Sequence, residues 1–292
     1  MSLHPLIKLA AGVLELGISP SIGGSISWFD WTDGGRRVPV LRKCNSCHEN
    51  VLEAGSFPLV PYVNRIRGGH FTFRGRDVTL APNMAGDPSP LHGQGWLAPW
   101  RVDTAAPSEA LLSFHHRPGE WPWEYHAQQR FALDEGGLSL RLTCRNLSRE
   151  PMPCGLGLHP FFPCTDETRV DARVQEVWTV EDTVLPIELL PAEGHYALRN
   201  KAIDRAGLDN GFEGWDGEAR LCWPTHIVQM QSEGCTRLQM FAPPRGGLFA
   251  AEPVQHSNCA LNAPMDRWTD LGIRMLAHND ERQLTARFDV IA

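Results

Sequence analysis

The sequence has no apolar run long enough to cross a bilayer, and its first residues lack the basic-then-apolar order of a secretory leader. A cytoplasmic protein without membrane contact is the expectation. Excess positive charge is also missing. With 27 Lys and Arg against 34 Asp and Glu, the formal net charge is −7, whereas nucleic-acid binding draws most of its affinity from a basic surface. A small molecule that is neutral or weakly charged is the expected partner, and a nucleic acid is not. No stretch repeats its apolar residues with helical spacing. Cysteine is sparse and scattered, 8 residues in 292, which reads as free thiols in a chain without a secretion signal. One spacing stands apart, Cys44-Asn-Ser-Cys47-His48. It has the form of a haem attachment site or half a zinc site, but haem attachment accompanies export, and no second CxxC or HxxxH completes a zinc site. What is left is a loop with two neighbouring cysteines, or a reversible disulfide.

What the chain does contain is alternation of period two. Residues 13–18, 25–29, 111–115, 128–133 and 138–145 read as strands, as do 174–180, 219–223, 227–231, 237–241, 272–276 and 284–290. Residues 70–80 read as a hairpin turning at Arg74 and Gly75. With 23 Pro and 27 Gly between short strands, the pattern is all-β, a large sandwich or a barrel. Even spacing with no linker-like change of composition predicts one domain over residues 1–292. Residues 36–55 and 82–100 are the irregular stretches and are expected to form the rim of a site.

Two titratable residues share one local design. His159 stands in Gly155-Leu-Gly-Leu-His-Pro-Phe-Phe-Pro163, where Pro160 biases the residue before it toward extended backbone. Gly155 and Gly157 leave space on one face of the strand for another backbone or a ligand. Glu252 follows an apolar run and precedes Pro253. Flanked by Phe249, Ala250, Ala251 and Val254, its carboxylate is expected to be desolvated and raised in pKa, which suits proton abstraction. An acid and a base on separate rigid strand ends meet only through the tertiary fold.

Other candidates follow from residue type. Arg65, beside Asn64, offers a fixed fork of donors for vicinal hydroxyls or a carboxylate. His92 lies between Leu91 and Gly93, close to Trp96 and Trp100, whose flat faces suit the C–H face of a sugar ring. Trp outnumbers Tyr by 10 to 3, although most Trp residues are expected in the core. Asp209 and Asp216 fit either the turn role of Asx residues or the acceptance of sugar hydroxyls.

Taken in order, these pieces resemble the aldose 1-epimerase family, the galactose mutarotase-like proteins. Asn64-Arg65-Ile66 with Gly68-Gly69 is similar to that family's first motif, Leu91-His92-Gly93 to its first histidine motif and Gly157-Leu-His-Pro-Phe-Phe162 to its second. Glu252-Pro-Val-Gln-His256 with Asn262 is similar to its glutamate motif, and Asp209 before Asn210 and Phe212 to its sugar-binding aspartate. The resemblance implies a galactose mutarotase-like β-sandwich with an open groove, no metal and no organic cofactor. It also implies Glu252 as base, His159 as acid, and Arg65, His92, Asp209 and Asn64 as sugar ligands. Phe161-Phe162 departs from a common Phe/Tyr pair. The arginines at 36, 37, 65, 67, 74 and 76 would suit a sugar phosphate, as in the hexose-6-phosphate 1-epimerase branch, or are solvated hairpin charge. Two further readings remain at this level: a glycoside hydrolase pairing Asp209 or Asp216 with Glu252, and a non-catalytic sugar-binding module.

Overall fold

A computed structural model of the chain describes residues 6–44 and 50–292. Every strand ladder among them is antiparallel, and the helical elements are five short 3-10 turns with no α-helix. Among the described residues, then, no helix is long and apolar enough to cross a membrane. Each of the eleven alternating segments contains a strand; 174–180 and 272–276 start two residues late, at Glu176 and Arg274, while others, such as Ser25–Asp33 and Glu281–Ile291, run past their pattern because ladder hydrogen bonds extend beyond the last inward side chain. The 70–80 hairpin turns at Arg74 and Gly75 with φ of 50° and 79°, the twist-matched geometry of a two-residue turn.

Two large sheets carry the core. The nine-stranded sheet runs from Lys201–Ala202 at one edge through Glu218–Cys222, Ile227–Glu233, Glu281–Ile291 and Gly137–Asn146 to Arg101–Ala105 at the other. The eight-stranded sheet is built on Leu208–Glu213, Arg237–Ala242 and Leu248–Val254, side by side. Phe162 and Phe249 of the second sheet stack at 5.2 Å, and Phe162 meets Phe288 of the first at 6.3 Å, so the apolar faces close on one another. The all-β sandwich is thus the observed architecture.

Three local expectations are corrected. Arg36–Leu41 is the fourth strand of an N-terminal meander, not rim loop. Leu208–Glu213, dense in turn formers, is an interior strand because it pairs along its whole length with Arg237–Ala242 and, at Phe212 and Glu213, with Glu176–Val180 on its other side. Nor do Gly155 and Gly157 open space for a ligand: a Cβ at Gly155 would lie 2.2 Å from His256 Cδ2, and one at Gly157 2.7 Å from Val63 Cγ1. Their missing side chains let the core close.

Candidate active site

The site begins with a break in a ladder. Strand Leu248–Val254 pairs with Phe161–Pro163 at one end and with Gly157–Leu158 at the other, in the same register on both sides. Residue 159 therefore falls directly opposite residue 252. Neither Pro160 nor Pro253 has an N–H to offer, so the ladder lapses at this point. The His159 amide donates instead to Phe57 O at 3.0 Å on its other side. Further along, Gln239 pairs with Glu252, and Gly211 with Gln239. Gly211, Gln239, Glu252, His159 and Phe57 form one row across the sheet.

In that row His159 Nε2 lies 3.3 Å from Glu252 Oε1, with side chains 13% and 3% exposed. The imidazole packs at a tilt against Phe57 at 4.7 Å and Phe161 at 4.4 Å, and its Nδ1 has no hydrogen-bond partner among the described residues. Burial, and then the Arg42 charge, push His159 down to about 3. Burial, and then Asp209, push the Glu252 carboxyl well above its ordinary range. Both directions favour uncharged partners, a protonated Glu252 carboxyl beside a neutral imidazole.

The remaining candidates surround this pair. His92 adopts φ 59° and its Nδ1 accepts from the Asn64 amide at 3.1 Å, which places its proton on Nε2. Its ring is 5.6 Å from that of His159, and burial lowers its pKa far below 6.5. Arg65 donates through Nε to Asp87 Oδ2 at 2.7 Å and through Nη1 to Asn64 Oδ1 at 3.0 Å. Asn64 thus spends its carbonyl oxygen on orienting Arg65. Asp209 accepts from Gln239 Nε2 at 3.0 Å, and burial raises it to about 6 although Arg65 opposes the shift.

Not every expectation converges here. Asp216 accepts from the Glu218 amide as an Asx turn and lines a separate concavity of about 530 Å³ on the nine-stranded sheet, away from the His159–Glu252 pair. Trp96 and Trp100 are each 1% exposed and cannot offer a face to a sugar. Of the arginines at 36, 37, 65, 67, 74 and 76, Arg65 is the one that reaches the site. Arg37 pairs with Glu15, Arg67 with Glu181 and Arg76 with Glu150. Cys44 is disulfide-bonded, six other cysteines are free, and Cys47 and His48 lie outside the described residues.

Three participants were missed by sequence reasoning: Gln239, Asp87 and Arg42. Gln239 had a usable signal, a polar residue alternating with Leu238 and Met240 in an apolar strand. Asp87 and Arg42 had none, because their partners are 22 and 10 or more residues away.

Known proteins match this chain closely. The aldose 1-epimerase family profile covers residues 7–265. The uncharacterized protein YphB of Escherichia coli K12 is 33% identical over 254 residues, spanning 85% of this chain and 82% of that one. A crystal structure of a candidate aldose 1-epimerase from Escherichia coli K12 superposes with a TM-score of 0.89 at 28% identity, covering 98% of both chains. A galactose mutarotase-like protein from Clostridium acetobutylicum gives 0.82 at 20% identity, over 98% of this chain and 95% of that one, a likeness of fold.

Proposed function

The chain belongs to the aldose 1-epimerase family, and on that premise we propose that it interconverts the α and β anomers of a sugar by opening and reclosing the ring. The observation that carries this reading is the buried His159–Glu252 pair at 3.3 Å. In the reacting charge state Glu252 is a carboxylate and His159 an imidazolium. Glu252 takes the proton of the C1 hydroxyl as the bond between C1 and the ring oxygen breaks, and His159 delivers its proton to that oxygen. The open aldehyde rotates about C1–C2 and the same steps run backwards.

The energetics support this order. Ring opening leaves the protonated carboxyl and neutral imidazole, the charge state that burial favours. The charged pair has the same proton count, so a single transfer from Glu252 to His159 generates it without a proton from solvent. Hydrogen bonds from the C1 hydroxyl to the carboxylate, and from the imidazolium to the ring oxygen, offset the cost of charging the pair. Around it, Arg65 and His92 Nε2 donate to the sugar and Asp209 accepts, while Asn64 holds Arg65.

The test is anomer exchange by NMR or polarimetry with free glucose, galactose, arabinose and glucose 6-phosphate. Acceleration of at least one sugar above buffer is expected, and the best substrate gives its class. Binding without any acceleration would replace this reading with that of a sugar-binding module. Asp87→Ala checks the orientation of Arg65: losing one charge-assisted hydrogen bond should raise KM by about 10- to 100-fold, with a smaller change in kcat. An unchanged KM would remove Arg65 from substrate binding.

A further inference from the structure

Arg42 has no assigned role, yet it is built into the wall behind His159. Its Cζ lies 3.9 Å from the centroid of Phe161, whose ring is in turn 4.4 Å from that of His159. The guanidinium is fixed there: Nε and Nη2 donate to Ala54 O at 3.2 and 2.6 Å, and Nη2 also donates to Leu52 O. The Arg42 amide donates to Phe161 O at 2.8 Å, tying both ends of the residue to the same strand break. A half-buried cation held this way has a fixed field, unlike a mobile surface arginine.

We propose that Arg42 is a positioning residue that acts through His159, its fixed charge across the Phe161 ring keeping the imidazole uncharged until a substrate is bound. The charged and titratable groups facing His159 are Glu252 from strand Leu248–Val254, His92 from the preceding loop and Arg42. Arg65 and Asp209 act on Glu252, while Glu53 and Arg245 act on Arg42 itself. Of these, Arg42 acts most on the imidazole, after burial. The consequence, which rests on the acid–base reading above, is that the imidazolium formed in the complex is a stronger acid toward the ring oxygen.

The experiment is an NMR titration of the His159 imidazole in the full-length protein, which needs no catalysis and so can fail independently of the mutarotation reading. Arg42→Gln keeps an amide donor for the carbonyls but removes the charge. The protonated fraction of His159 at a fixed mildly acidic pH should then rise about threefold or more, and Arg42→Lys should restore most of the original behaviour. The acid limb of the anomer-exchange rate should move to higher pH in the same variant. Glu53→Gln, an exposed change, should shift His159 the opposite way by unmasking the Arg42 charge. An unmoved titration in Arg42→Gln overturns the proposal. Should that variant not fold, an unchanged or upward shift in Glu53→Gln overturns it, as does a wild-type His159 that titrates near its ordinary value.

Discussion

Glu252→Gln is expected to lower the enzymatic exchange rate by about 10²- to 10⁴-fold while leaving stability close to that of the wild type. The rate falls because an amide cannot take the C1 hydroxyl proton. Stability holds because burial keeps the native carboxyl protonated and uncharged, so the isosteric amide leaves no unpaired charge behind. Comparing kcat with a urea melt of the same protein checks both halves. A variant that melts normally and still exchanges anomers at the wild-type rate would remove Glu252 from the chemistry.

The same pair fixes the shape of the pH profile. On the proposed mechanism activity needs one proton across His159 and Glu252, so it should fall in acid when a second proton binds and in base when the only one leaves. With His159 lowered to about 3 and Glu252 raised well above its ordinary range, the two limbs are pushed apart and the bell is broad. A narrow bell centred between the ordinary carboxylate and imidazole values would contradict the burial of the pair.

Gly155→Ala should cost about 2–5 kcal/mol, the sum of overpacking and of hydrogen bonds lost. The added methyl would fall 2.2 Å from His256 Cδ2. That ring cannot swing aside freely, because its Nδ1–H donates to Ser257 O and its Nε2 accepts from the Val63 amide, both at 2.8 Å. Displacing it leaves a buried N–H unsatisfied one residue before Asn64. Urea unfolding of Gly155→Ala checks the cost, and the double variant with His256→Ala should lose less than the sum of the singles. A loss under about 0.5 kcal/mol, typical of a surface change, would show that no collision occurs.

His256 also sets a direction for stability against pH. Burial lowers it to about 3 from 6.5, so its contribution is complete above 6.5 and is lost as pH falls toward 3, when the unfolded chain binds a proton that the native state refuses. His92 and His159 shift the same way, whereas the raised Glu252 acts oppositely: its contribution is present below 4.5 and declines as pH rises from there toward its folded value.

Much of this site was legible before the fold. Alternation of period two gave the strands, because side chains on a pleated sheet must point in turn to core and solvent. Pro160 and Pro253 marked the extended residues beside them, and the apolar neighbours of Glu252 announced a desolvated carboxyl. Asp209 was harder. Its neighbours Asn210 and Gly211 are turn formers by intrinsic preference, and only pairing with Met240 and Gln239 of the adjacent strand holds them extended within the sheet. The expectation that Trp96 and Trp100 present sugar-binding faces failed for a related reason, since burial depends on what packs over a residue and not on its own chemistry.

By itself, then, the sequence determined the all-β class, the acid and base that carry the proposed chemistry and the apolar setting that shifts their titration, because these follow from residue type and local pattern. Register was decided by the tertiary structure alone. That Gly211, Gln239, Glu252, His159 and Phe57 fall in one row, that Asp87 and Asn64 hold Arg65, and that Arg42 stands behind His159 all depend on contacts between distant segments. A slip of one residue in the pairing of Leu248–Val254 would turn Glu252 to the opposite face without altering any local pattern.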